Sequence, residues 1–189
     1  MTRLTDRAHQ LIAAELQAGE TAVDATAGNG HDTLFLCQRV GPAGQVYAFD
    51  IQQVALKQAA ELLHQSGFSN CELICSDHSQ LKNLIPEDAQ GRIGAIMFNL
   101  GYLPGGDHSQ ITQTDSTLAA IEAALLLLRA GGILTVMAYP GHEGGDSEMT
   151  VVAERFRLLD ESHFKTEVIL ARSESTSAPR LFVARKREC

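Results

Sequence analysis

Asp24-Ala-Thr-Ala-Gly28-Asn-Gly30-His-Asp32-Thr33 stands between a short apolar run, Thr21 to Val23, and a helix-like apolar run, Leu34 to Val40. A strand, a glycine turn and a helix start therefore adjoin. Glycine has no Cβ, so such a turn lets a ligand lie against bare backbone. Twenty residues after Gly30, Asp50 closes the run Gln45-Val-Tyr-Ala-Phe-Asp50. An acid at that distance, ending a second strand, suits the two hydroxyls of a ribose. The stretch predicts an α/β sheet and a ligand that contains a nucleoside.

Outward from this turn, strand-like and helix-like segments alternate. Strands are expected at 21–26, 45–50, 71–76, 94–100 and 133–139, with helices at 31–40, 52–66, 112–130 and 147–160. Leu56, Ala59, Ala60 and Leu63 recur at helical spacing, as do Leu118, Ile121, Leu125 and Leu128, and both stripes read as core. Gly131-Gly132 is expected to stop the third of these helices. Two strand-like runs, 164–171 and 181–186, then follow one another across the polar loop Ser173 to Pro179. The order predicts one domain over residues 1–189. Its fold is Rossmann-like: a doubly wound, mostly parallel seven-stranded sheet with an antiparallel terminal strand pair. Ligands of such sheets bind outside the carboxyl ends of the strands. The unusual loops gather there: Asp24 to Asp32, Asp50, Asp77-His78, Asn99 to Asp107, and Tyr139 to Gly145.

The chain has 189 residues, 44% hydrophobic and 20% charged, which is ordinary for a globular protein. Residues 1–20 show no signal-peptide pattern but carry an amphipathic one, Leu4, Ala8, Leu11 and Ile12. The apolar stretch from Leu118 to Tyr139 is broken by Glu122, Arg129 and the glycine pair, which argues against a membrane span. Cys37, Cys71, Cys75 and Cys189 lack metal-site spacing and read as reduced, buried thiols of a cytoplasmic protein. No metal-site, P-loop or Gly-x-Ser-x-Gly signature is present.

The net charge of −8 argues against a generic nucleic-acid coat. Residues 165–189, however, hold six basic and three acidic side chains, a local +3 against −11 for the remainder. This is either a solvated last strand or a phosphate-contacting patch around Arg180, Arg185, Lys186 and Arg187.

A dinucleotide fingerprint wants a third glycine where this chain has Thr33, and nothing else supplies a pyrophosphate cradle. An acid-first turn suits the amino group of S-adenosylmethionine better. Asp50 would take its ribose hydroxyls, and Asp77 either accepts from the adenine amine or caps the helix that follows. An NAD-linked oxidoreductase and a non-catalytic binding protein are the competing classes.

At these residues the chain resembles a class I S-adenosylmethionine-dependent methyltransferase. More narrowly, it is similar to the small bacterial family long labelled putative rRNA methylase, associated with methylating 5-aminomethyl-2-thiouridine at the tRNA wobble position. The resemblance is carried by Asp24 to Thr33, Phe49-Asp-Ile-Gln52, Met97-Phe-Asn-Leu-Gly-Tyr-Leu-Pro-Gly-Gly-Asp107 and Tyr139-Pro-Gly-His142-Glu-Gly144, and it spans essentially the whole chain. It departs before the last strand, where Ala178-Pro179 stands for the family's frequent Pro-Pro and Ser173 to Ser177 for its Asn- and Gln-containing loop. The resemblance implies a cofactor site of Asp24, Thr26, Gly28, Asn29, Gly30, Asp32, Thr33, Asp50, Ile51, Gln52, Asp77, His78 and Asn99. It implies substrate contacts at Leu100, Gly101, Tyr102, Leu103, Pro104, Gly105 and Arg180, and the anticodon region of tRNA as partner. It also implies a homodimer. Methylation of rRNA, or of a small-molecule or protein amine, is the alternative within enzymes.

Asn99-Leu-Gly-Tyr102 occupies the place where amino-methylating enzymes carry an Asn-Pro-Pro-Tyr loop. Losing both prolines suggests a target other than a ring-conjugated amine, and the resemblance implies an aliphatic aminomethyl group. Such an amine, with a pKa near ~10.4, is neutral in only about 1 in 10³ molecules at pH 7, a deficit of roughly 4 kcal/mol. The site must desolvate it or accept its proton. Asp107, Tyr139, His108 and His142 are the candidates, with Asp107 favoured. His31 is expected to cap or line the turn and residues 101–117 to form a lid or substrate loop, while His9, His64 and His163 read as surface or helix residues and are assigned nothing.

Overall fold

A computed structural model describes residues 3–101, 114–140, 145–171 and 178–188. Seven strands form one sheet: β1 (Thr21–Asp24), β2 (Gln45–Asp50), β3 (Cys71–Cys75), β4 (Ile93–Asn99), β5 (Leu128–Ala138), β6 (Phe164–Leu170) and β7 (Arg180–Lys186). Their order is β3-β2-β1-β4-β5-β7-β6. The first five pair in parallel, and β7 runs antiparallel to both β5 and β6. The helices are α1 (Leu4–Glu15), α2 (His31–Val40), α3 (Gln53–Gln65), α4 (Leu81–Leu84), α5 (Thr114–Leu127) and α6 (Gly145–Arg157).

Strand parity sorts the core into two layers. On β1 and β4, Ala22, Ala95 and Met97 face a layer built by Ala8, Ile12 and Leu16 with Leu36, Val40 and Leu63, that is, by α1, α2 and α3. Val23, Ile96 and Phe98 face the other layer, with Leu81, Ile121, Leu125, Val152 and Phe156 of α4, α5 and α6. Both faces being covered explains why β4 reads as a continuous apolar run rather than an alternating one. The edge strands β3 and β6 are mostly exposed or half-buried.

Two expectations change. Gly131 and Gly132 do not cap α5, which ends at Leu127 and passes straight into β5. They form an irregularity in that strand, where the β4 pairing jumps from Ile93↔Leu128 to Ala95↔Ile133. Gly131 has φ +69°, and a Cβ on Gly132 would meet the Arg129 and Ile93 carbonyl oxygens at 2.9 and 3.0 Å. Glycine is needed there for a bulge, not a helix stop. The thiols also differ from expectation: Cys37 is buried, Cys71 half-buried, and Cys75, at the end of an edge strand, exposed. Cys189 lies outside the described residues. No helix among the described residues is long and apolar enough to cross a membrane.

Candidate functional site

The chain runs β1, β2, β3 to one side and then returns to place β4 on the other side of β1. In open sheets of this kind the ligand cleft lies at such a reversal, outside the carboxyl ends of the strands, here β1 and β4. The turn after β1 is stitched to both neighbours: Ala25 N–H donates to Met97 O of β4 and Ala27 N–H to Phe49 O of β2, each at 2.8 Å. Gly28 and Gly30 have φ +50° and +83°, so the turn uses the left-handed region that glycine enters freely. Gly30 serves packing as well. A Cβ there would lie 2.7 Å from Ala59 Cα, so α3 sits directly against the turn.

Three carboxylates surround this turn in different environments. Asp24 is 1% exposed. It accepts the Thr33 hydroxyl at 2.6 Å and the Thr26 N–H at 3.1 Å. Burial, reinforced by the charge of Asp32, pushes its carboxyl up to about 7. It braces the turn from beneath. Asp50, half-buried at the end of β2, accepts Gly28 N–H at 2.9 Å on one oxygen and Gln52 N–H at 2.8 Å on the other. A carboxylate has about four acceptor positions, so each oxygen keeps capacity for a hydroxyl. Asp32, in the first turn of α2, accepts from His9 Nε2 at 2.6 Å and from Asn99 Nδ2 at 3.5 Å.

Asn99 ends β4 and faces the turn from across the cleft. Its backbone N–H donates to Thr26 Oγ1 at 2.7 Å. Leu100 is buried and continues the ladder through its N–H to Met137 O at 2.8 Å. Gly101, at φ +137°, begins the loop in a conformation open to glycine. Tyr139 follows β5 and is half-buried. Burial and the nearby Asp32 raise its hydroxyl above the usual phenol value, and a hydrogen bond with Thr5 of α1 opposes them. It is therefore a neutral donor at physiological pH and a poor base.

On the far side of Asp50, Ile51 is exposed and Gln52 half-buried, both in the turn into α3. Asp77 caps the short helical turn His78–Gln80, accepting Ser79 N–H at 2.8 Å. Burial raises its carboxyl, but the bonds from Ser79 and the neighbouring His78 outweigh this and hold it below the usual value. His78 turns inward: it is 7% exposed, lies edge-on to Phe98 at 5.6 Å, and burial holds its ring below the usual histidine value. Its Nε2 and the Asn29 Oδ1 in the turn are buried polar atoms without a partner among the described residues. Asn29 stands between Gly28 and Gly30, so its oxygen is a buried acceptor in the glycine turn itself. His31 opens α2 and is exposed.

The basic tail does not form one patch. Because β7 is antiparallel, Arg180 pairs with Ala138 at the site end of the sheet, whereas Arg185 pairs with Ile133 near the opposite end. Five residues of strand separate them, roughly 17 Å. Arg185 is engaged by Glu15 at 3.1 Å, Lys186 donates to Leu128 O at 2.7 Å, and Arg187 to Glu161 O at 2.7 Å. Arg180 alone of the four stays with the site. Tyr102, Leu103, Pro104, Gly105, Asp107, His108 and His142 lie outside the described residues.

Sequence reasoning assigned nothing to His9, which the structure brings to Asp32. Its signal was weak: a helix histidine beside the core position Ala8, more than twenty positions before its partner Asp32.

Residues 46–185 match the family model described as Putative rRNA methylase. The chain belongs to that family. A putative rRNA methylase from Clostridium thermocellum has a solved structure with TM-score 0.93 and 34% identity, covering 98% of each chain. A putative methyltransferase from Streptococcus mutans, solved in complex with SAH, has TM-score 0.88 and 35% identity, covering 98% of this chain and 99% of that one. Among curated proteins, the chloroplastic tRNA (mnm(5)s(2)U34)-methyltransferase of Arabidopsis thaliana is 41% identical over 159 residues, which is 79% of this chain and 57% of that protein. The chain thus spans little more than half the length of the curated relatives it matches.

Proposed function

We propose that this family member is an S-adenosylmethionine-dependent methyltransferase that N-methylates the 5-aminomethyl group of wobble (2-thio)uridine in tRNA. One observation carries the reading. Asp50, with hydroxyl-accepting capacity, and Asn99, with an amide at the end of β4, are tied to a single turn through Gly28 and Thr26. A ribose-holding acid and an amine-holding amide thereby share one rigid support. The SAH-bound relative supports the cofactor, and the 41% relative supports the substrate.

S-adenosylmethionine supplies, when bound, a methyl group activated on a sulfonium. The residues fit it: Asp50 holds the ribose hydroxyls, the bare backbone of Gly28 and Gly30 admits the amino-acid end, and the Asn29 oxygen gains a donor. Asp77 keeps one carboxylate oxygen for an adenine amine while the other caps. Asn99 orients the substrate amine, Tyr139 donates to it or stacks on the base, and Asp107 accepts its proton, with His142 as the other candidate acceptor. Arg180, at the site end of β7, meets an anticodon phosphate. We place the enzyme in the cytoplasm as a homodimer.

The test is methylation of purified tRNA carrying the aminomethyl intermediate, read by nucleoside mass spectrometry. A gain of one methyl on that nucleoside is expected. Methylation only of tRNA lacking the intermediate, or of rRNA, would defeat the substrate assignment.

A further inference from the structure

His9 is the feature of the cleft that neither the motifs nor the proposed chemistry uses. Ala8, Leu11, Ile12 and Leu16 anchor α1 in the core, so the helix is a rigid mount. From it Thr5 and His9, one helical turn apart, reach Tyr139 and Asp32 respectively. The His9 ring is stacked on Phe35 with centroids 3.9 Å apart and planes within 5°. Its plane is thus fixed by packing, and its Nε2 lies 2.6 Å from Asp32 Oδ1.

A short Nε2 contact to a carboxylate means that Nε2 carries the proton, whether or not the ring is charged. Asp32 is then held at one oxygen and accepts Asn99 Nδ2 with the other. An amide whose NH2 is engaged presents its carbonyl oxygen outward. The Asn99 backbone is pinned independently by Thr26.

We propose that His9 is a positioning residue for methyl transfer: acting through Asp32, it fixes the Asn99 side chain with its carbonyl oxygen toward the substrate amine. The amine carries N–H donors, so a carbonyl turned outward orients it and an NH2 turned outward repels it. Without the His9 donor, the Asp32 carboxylate is free to rotate, and the amide of Asn99 loses its directional partner. This proposal rests on the methyltransferase reading of the same cleft and adds a residue to it.

Three variants separate the hydrogen bond from packing. His9→Phe keeps the stack on Phe35 but has no donor, His9→Gln keeps a donor at similar reach, and His9→Ala removes both. On tRNA bearing the aminomethyl intermediate, His9→Phe and His9→Ala are expected to lower kcat by about 10- to 100-fold, with KM for the methyl donor changed by less than about threefold. His9→Gln is expected to recover most of the loss. A second readout needs no turnover: in 15N-labelled protein without ligand, the Asn99 side-chain NH2 resonances shift in His9→Phe and return toward their parental positions in His9→Gln. Parental kcat in His9→Phe, or unmoved Asn99 amide resonances in that variant, overturns the proposal. If the parent protein itself fails on this tRNA, the substrate reading falls, while the resonances still decide the role of His9.

Discussion

Replacing Asp24 with asparagine is expected to flatten the pH dependence of stability. Asp24 is fully buried, and its carboxyl sits near 7 in the fold against 3.8 when solvated. Between those two values the native state binds a proton that the unfolded state has released. Stability therefore falls as pH rises through this window, the reverse of an ion-paired carboxylate. For a single group with these two values, the loss between pH 5 and pH 8 is about 3 kcal/mol. Asparagine cannot ionise, so the stability of the variant relative to the parent should climb by about that amount over the same interval. Its geometry is tolerable: Oδ1 still accepts Thr26 N–H, and the Thr33 hydroxyl can rotate to accept from Nδ2. The Asp32 charge is among the causes of the shift, so Asp32→Asn should shrink the pH dependence in part. Urea denaturation of parent and variant at pH 5, 6, 7 and 8 measures the difference directly. A difference that stays constant within about 0.5 kcal/mol, well below the linkage expected, would refute the claim that Asp24 is held in a desolvated, anion-repelling pocket.

Two further outcomes follow from the turn. Gly30→Ala combines a Cβ at 2.7 Å from Ala59 Cα with φ +83°, and should cost about 2–5 kcal/mol in chemical denaturation, only partly restored by adding Ala59→Gly because the α3 backbone still stands in the way. Asp50→Asn leaves one acceptor for which the N–H groups of Gly28 and Gln52 and the ribose hydroxyls compete, so SAH affinity by calorimetry should drop about 10- to 100-fold and the N–H left unpaired should lower stability by about 1–3 kcal/mol; unchanged affinity would remove Asp50 from the cofactor site.

Much of the fold was legible because parallel strands covered on both faces are short apolar runs with a polar or glycine-rich ending. The run Gln45 to Asp50 and the helix His31 to Val40 have the bounds expected from pattern. The glycine pair 131–132 misled because a bulge and a helix stop ask the same thing of a residue, a positive φ or room for a neighbouring carbonyl. Cys75 misled because strand position, edge or centre, sets burial, and position in the sheet is not local information. At the site, Asp50, Asn99 and Thr26 were legible as strand-end and turn residues. Their partners were not: Thr26 is joined to Asn99 across more than seventy residues.

Local pattern was enough to establish the alternating α/β order, the glycine turn and the acid that follows it, since periodicity and backbone permissiveness act over a few residues. It could not assign roles among like residues. Three aspartates around one turn look equivalent in the chain, yet folding buries Asp24, leaves Asp50 facing the cleft and gives Asp32 to a histidine from the first helix. Four basic residues near the end look like one patch, yet an antiparallel strand carries Arg180 to one end of the sheet and Arg185 toward the other. Desolvation and strand direction are properties of the assembled sheet, and only there do they separate Asp24 from Asp50 and Arg180 from Arg185.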